Sequence, residues 1–244
     1  MENQDQVIDV ETVQEEIKEQ QQENQKPHVN VVIATPGRIL NAEYVKSLLA
    51  TIQILNANGI TWHYQNEYAS LVTNAREATI TGSRNLEIFN TSPGKGIYTY
   101  DKIFCIDSDI VWNPEHFIKL YTSGYDVISG VYFEAEGRDA VVHQTKDSFR
   151  FMTRSELEVY QKIGDPIPVY GVGLGFMCIR QGVFEKLKRP WYGLGKVKQE
   201  VDGIEYEIPL GEDLYWCERV TENGDIVHLD PTVVVGHVKS NIVV

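Results

Sequence analysis

Asp107-Ser108-Asp109 places two carboxylates at alternate positions, directly after the apolar run Ile103-Phe104-Cys105-Ile106 and just ahead of Asn113-Pro114-Glu115, the signature of a capped helix start. Two such carboxylates repel each other unless a cation or hydrogen-bond donors neutralise them. Their hard oxygens suit Mg2+ or Mn2+, with diphosphate oxygens completing the shell. Gly211-Glu212-Asp213 opens a second helix, whose dipole favours an ionised carboxylate that could take the proton of a hydroxyl. His237 follows the β-branched run Val233-Val234-Val235 and could ligate a metal through a neutral imidazole. Each signal also has a plainer reading: turn aspartates capping amides, first-turn acids, a packed histidine.

Weaker candidates surround these. Gly171, Gly173 and Gly175 lie in YGVGLGF, where they would allow a close backbone approach to a ligand or form a bulge. Neither a P-loop nor a GxGxxG dinucleotide fingerprint is present. Arg76 and Arg84 could reach a diphosphate or face solvent. Trp191 and Tyr192 after Pro190 could offer a sugar-binding platform or belong to the core, and Lys239 could pair with phosphate. The remaining histidines have no partner pattern and are read as structural.

The positioning elements read as strand, helix, strand. Residues 29–35 (VNVVIAT) form a continuous apolar, β-branched run, as in a strand covered on both faces. Val45, Leu48, Leu49, Ile52 and Leu55 recur at helical spacing behind Asn41. Strands are predicted at 60–65, 103–107, 126–133, 172–180, 225–229 and 232–235. Helices are predicted at 69–78, 83–90, 113–123, 155–163, 183–187 and 212–222, and a mobile loop at 193–206. This order argues an α/β fold with a parallel, doubly wound sheet in residues 29–133 and a mixed second half at 134–244. Residues 1–28, rich in Glu and Gln, read as an acidic disordered tail or an oligomerisation arm.

Composition sets the limits. Apolar residues make up 42% and charged residues 23% of the 244 positions, ordinary for a globular protein. No 18-residue apolar stretch exists, so no membrane span is expected, and the N-terminus has no secretory pattern. The formal charge of −13 disfavours extended nucleic-acid binding, though not a single flipped base in a pocket. Three cysteines without CxxC spacing fit a reducing, cytoplasmic setting.

In this order the signals resemble metal-dependent glycosyltransferases of the GT-A fold, most closely the glycosyltransferase family 2 type, over about residues 29–240. The stretches that carry the resemblance are VVIATPG (31–37), NARE (74–77), IFCIDSDIVWNPEHF (103–117), DVISGVYF (126–133), GVGLGFMCIRQGVFEKL (171–187), PWY (190–192), GEDLYWCERV (211–220) and DPTVVVGHV (230–238). The resemblance implies a Rossmann-like, mostly parallel central sheet flanked by helices, with a mixed acceptor half. It also implies Mn2+ or Mg2+ and a nucleotide-diphosphate sugar. Asp107 then sits near the donor ribose and the metal, with Ser108 beside it, Asp109 ligates the metal directly, and His237 completes the coordination. Asp213 deprotonates the acceptor with Glu212 beside it, which implies inversion. Thr35 and Pro36 touch the base, Glu67 or Asn66 the nucleotide, Gly173–Gly175 the donor sugar, and Trp191 the acceptor. Arg76 is kept for the donor, but Glu77 stands where the family usually has Asn. The acceptor is a hydroxyl on a glycan, a protein, a lipid-linked sugar or a modified base. Rival readings are a retaining enzyme of the same fold, a sugar nucleotidyltransferase, or a non-catalytic relative. The 193–206 loop is predicted to close over the donor.

Overall fold

The computed structural model describes residues 26–83, 92–146, 150–201 and 203–239. Its framework is β1 (His28–Pro36), α1 (Ala42–Ala57), β2 (Trp62–Glu67), α2 (Val72–Thr81), β3 (Thr99–Ile106), α3 (Pro114–Tyr121), β4 (Val127–Val131), α4 (Arg154–Ile163), β5 (Ile167–Pro168), β6 (Phe176–Arg180), α5 (Glu212–Glu222) and β7 (Val227–Val234). The helix starts are those their sequences encode. Asn41 and Asn113 accept from the amides of Glu43 and Glu115, and Thr153 with Glu156 forms a capping box.

One seven-stranded sheet runs β2-β1-β3-β6-β4-β7-β5. β1 is parallel to β2 and β3, and β4 is parallel to β7, while β6 is antiparallel to both β3 and β4. Most strands therefore share one direction, with β6 reversed in the middle and β5, antiparallel to β7, reversed at the edge. Both faces are covered. Val32, Ala34, Ile103 and Cys105 join a core with Phe184, Trp191 and Trp216. Val31, Ile33, Phe104 and Ile106 join another with Tyr44, Leu48 and Phe117. Alternate residues point to opposite faces, so double coverage accounts for the unbroken apolar runs of β1 and β3.

Several boundaries differ from the sequence expectation. The strand expected across 172–180 is broken: Gly171–Val172 pairs with Val142–His143, and only β6 enters the main sheet. The two short strands expected at 225–235 are one, β7, whose register is irregular between Leu229 and Val234 around Asp230-Pro231. The 193–206 segment, expected as a mobile loop, contributes to a hairpin of Gly195–Val201 with Ile204–Leu210. Its lysines and glutamates pair diagonally across the two strands, Lys196 with Glu207 at 2.7 Å and Lys198 with Glu205 at 2.8 Å, each two residues off the directly opposite position; counting glycines hid this cross-strand pattern. The expected tail through residue 25 and most of the 83–90 helix, Arg84 included, lie outside the described residues. Among the described residues no helix is long and apolar enough to cross a membrane.

Candidate active site

The chain leaves β1 for β2 on one side and then crosses to β3 on the other. The carboxyl ends of β1 and β3 thus flank a topological switch point, where open α/β sheets bind ligands. A cleft of about 380 Å³ lies there, lined by Pro36, Gly37, Ser70, Arg76 and Asp107 to Asp109. Gly37 turns the chain with φ +141°, and a Cβ there would meet Ser108 Oγ at 2.9 Å. Asn66 holds the same loop, donating to the carbonyls of Thr35 (2.7 Å) and Gly37 (2.9 Å), and the Glu67 carbonyl accepts from the Gly37 amide. Pro36 and Ser108 line the cleft. Thr35 does not: its side chain is buried and bonded to the Tyr44 hydroxyl.

The Asp107–Asp109 turn is tied on both sides. The Asp107 amide donates to the Gly175 carbonyl at 3.0 Å, and Ile110–Val111 pairs with Gly236–His237, while the Val238 amide donates to the Asp109 carbonyl at 2.8 Å. This backbone ladder sets His237 Nε2 3.2 Å from Asp109 Oδ2. His237 Nδ1 lies 3.0 Å from the Phe133 carbonyl. A carbonyl can only accept, so Nδ1 carries the proton and a neutral ring aims the Nε2 lone pair at a carboxylate oxygen. Two lone pairs face to face require something positive between them, either a proton on Nε2 or a cation. Burial works against a charged His237, but the Asp109 and Phe133 contacts outweigh it and raise its pKa. Burial likewise opposes ionised Asp109, yet His237 and Lys239 hold its pKa below the usual value. An imidazole nitrogen and a carboxylate oxygen converging on one point fit a divalent cation.

Asp107, expected at the metal beside Asp109, is turned elsewhere. Arg76, only 6% exposed, grips it with both forks: Nη1 to Oδ1 at 2.9 Å and Nη2 to Oδ2 at 3.2 Å. Arg76 Nε donates to Glu212 Oε1 at 3.2 Å, and Nη2 lies 3.3 Å from Asp213 Oδ1. Burial works to lower the Arg76 pKa, but Asp107 and Asp213 raise it well above the ordinary value. Its donors thus face three carboxylates rather than an open diphosphate site. Among the described residues no group of three or more His, Cys, Asp or Glu could hold a metal; the protein offers Asp109 and His237 as a pair.

Asp213 stands in the first turn of α5 beside a cavity of about 210 Å³ lined by Val141, His143, Phe151, Gly173 and Leu214. Its pKa is pushed up to about 7, chiefly by burial, with Arg76 opposing and Glu212 and Asp107 adding to the rise. Its Oδ1 is buried and accepts no aligned hydrogen bond. A carboxylate poised near neutrality and open on one side to a cavity can act as a base. Glu212, paired with Arg76 Nε, supports that arrangement.

Two expected contacts are core features. Trp191 is fully buried; its indole donates to the Phe184 carbonyl at 3.0 Å, and its amide lies 3.1 Å from Glu77 Oε2. It does not line the cavity beside Asp213. Glu77, the departure from the family pattern, holds this turn and also accepts from Arg189 Nε at 2.7 Å. Gly173 and Gly175 are glycines because Tyr132 lies against them: a Cβ on Gly173 would sit 1.8 Å from the Tyr132 hydroxyl. Sequence reasoning missed Tyr132, His143 and Phe151; only the paired glycines hinted that a large ring lies close by.

No family model matches the chain, and no curated protein does. Among solved structures it is similar to A197 from STIV, with 19% identity, a TM-score of 0.50 and 87% of each chain covered. It is also similar to the catalytic domain of Drosophila β1,4-galactosyltransferase 7 in complex with xylobiose (12% identity, TM-score 0.47, 87% of this chain and 71% of that one). A further match is GalNAc-T7 with UDP, GalNAc and Mn2+ (12%, 0.46, 89% and 44%). The likeness to A197 is one of fold. The architecture is a mostly parallel sheet flanked by helices, as the resemblance implied.

Proposed function

We propose that this chain is a metal-dependent glycosyltransferase that moves a sugar from a nucleoside-diphosphate donor to an acceptor hydroxyl, with inversion and with Asp213 as the base. The observation that carries this reading is the placement of two differently equipped carboxylates on either side of Arg76. Asp109 and His237 converge at the switch-point cleft, and Asp213 borders the neighbouring cavity with its pKa near 7.

Asp109 and His237 would hold a Mn2+ or Mg2+ ion, which when bound supplies Lewis-acid stabilisation of the departing diphosphate. Pro36, Gly37, Asn66 and Glu67 shape the wall on which the nucleoside lies. Arg76 fixes Asp107 and Asp213 relative to one another, so the donor and acceptor sides keep one geometry. Asp213 takes the proton of the acceptor hydroxyl as its oxygen bonds to the anomeric carbon and the bond from that carbon to the diphosphate breaks. Attack from the face opposite the leaving group gives inversion. The acceptor is hydroxyl-bearing: a glycan, a protein, a lipid-linked sugar or a modified base.

A thermal-shift panel of UDP, GDP, CDP and dTDP, each with and without Mn2+, tests the reading. Asp109→Ala should abolish any metal-dependent shift, while Asp213→Asn should keep the shift and lose transfer. Turnover surviving both substitutions would remove the assignment.

A further inference from the structure

We propose that Lys239 is a built-in stand-in for the divalent cation, and that its release from Asp109 couples metal entry to capture of the donor's diphosphate. This inference rests on the assignment of Asp109 and His237 to the metal. Lys239 Nζ lies 3.3 Å from Asp109 Oδ2, the same oxygen that faces His237 Nε2 at 3.2 Å. Three groups converge on one spot: a carboxylate oxygen, an imidazole nitrogen and an ammonium. A metal that takes the first two competes directly with the third.

The ammonium is suited to leaving. It rides a flexible four-carbon stem, the Lys239 side chain is 40% exposed, and the residue lies beyond the Gly236–His237 bridge rather than inside a core. It cannot go far, because His237, two residues earlier, is tied to Phe133 and to Ile110. Released from Asp109, it stays at the rim of the cleft as a positive charge without its carboxylate, and a phosphate oxygen is the partner that restores the balance. Arg76, the buried cation of the same cleft, already faces Asp107, Glu212 and Asp213. Lys239 therefore raises the threshold for metal binding alone and lowers it when an anionic donor arrives with the metal. Such coupling is reciprocal between the two ligands.

The test uses the full chain, with Mn2+ alone and then inorganic pyrophosphate at saturating Mn2+ as probes, titrated calorimetrically against Lys239→Met and Lys239→Arg. Lys239→Met should bind Mn2+ about two- to fivefold more tightly and pyrophosphate about two- to fivefold more weakly, the range of a half-exposed ion pair. Lys239→Arg, which keeps the charge, should stay near the unaltered protein on both axes. A residue that merely supported the site would weaken both ligands when removed, and that result overturns the proposal, as does unchanged Mn2+ affinity. Tighter Mn2+ with unchanged pyrophosphate overturns the coupling. If the folded, unaltered protein takes up no Mn2+, the metal assignment itself fails and this inference falls with it; Mn2+ binding that Asp109→Ala abolishes keeps the two failures apart.

Discussion

Two clusters of charge flank the same turn and behave as opposites. On the Asp107 side, Arg76 is almost wholly buried and touches three carboxylates whose side chains are 16% to 27% exposed. On the Asp109 side, His237 and Lys239 meet one carboxylate that is 38% exposed. The chemistry is the same, cation against carboxylate, but the environment differs. In the dry cluster the cation cannot leave without stranding charge, so the cluster fixes geometry. In the wet cluster water can replace Lys239 at Asp109, while His237 stays in place, so the ammonium is exchangeable. The proposed reaction, which positions one carboxylate and loads a metal on another, would use both kinds.

The largest expected effect tests the dry cluster. Arg76→Ala leaves Asp107, Glu212 and Asp213 crowded without their cation, and removing one member of such a buried network costs about 3–5 kcal/mol. Urea unfolding should show that loss. Arg76→Lys should recover part of it, since a lysine supplies charge but not the planar fork. A loss under about 1 kcal/mol would mean that the cluster is as exchangeable as its neighbour, and the contrast would collapse.

Next comes Asp213→Asn, which should lower transfer by about 10²–10⁴-fold while sparing nucleotide-diphosphate binding. The pH dependence sharpens this. The acid limb of the rate should turn near pH 7, because Asp213 must be ionised to take a proton and its pKa is about 7. Stability should move the other way. The folded protein holds this proton more tightly than the unfolded chain, so stability falls as pH rises from about 4 towards 7. Melting curves should therefore show Asp213→Asn gaining on the unaltered protein as pH rises through that window. A rate limb at ordinary carboxylate pH would show that Arg76, not burial, governs Asp213.

How much of this was legible beforehand follows from the physics of each signal. Asp107–Asp109, the Glu212–Asp213 helix start and His237 could be read because strand ends and helix caps are local and carry sequence signatures. The meeting of Asp109 with His237 could not be read from spacing; it comes from the pairing of Ile110–Val111 with Gly236–His237, and only the resemblance implied it. Which partner each carboxylate takes depends on where α2 delivers Arg76, and a lone arginine in NARE reads equally as a phosphate ligand or a solvated charge. Trp191 misled because Pro-Trp-Tyr looks the same whether it faces a cleft or, as here, hangs from buried Glu77. The 195–210 hairpin was missed because its stabilising pattern lies across strands rather than along one.

A smaller effect probes the seam between the clusters. Tyr132 stacks edge-on against His237 at 5.2 Å on the wet side, and its hydroxyl lies against Gly173 and Gly175 beside the Asp213 cavity. Gly173→Ala forces Tyr132 to shift, an overpacking of about 1–3 kcal/mol readable in thermal melts. If the ring moves, His237 moves with it, and Mn2+ affinity should fall too. A stability loss with unchanged Mn2+ affinity would show the two clusters to be mechanically independent.

The smallest expected effect is the one that most directly tests the wet cluster. Asp109→Asn removes the carboxylate from a half-exposed contact: Lys239 can turn to water, and His237 stays held by the Phe133 carbonyl. In the presence of a chelator the change in stability should stay below about 1 kcal/mol, the range of exposed ion pairs. Added Mn2+ should then raise the melting temperature of the unaltered protein and leave that of Asp109→Asn where it was, because stabilisation by a ligand scales with its occupancy of the folded state. The pairing of results carries the argument. A residue that matters little to the fold but decides the response to a cation is a ligand. If Asp109→Asn instead costs as much as Arg76→Ala, the turn at Asp109 is scaffolding, and the division between a fixed and an exchangeable half of the site is wrong.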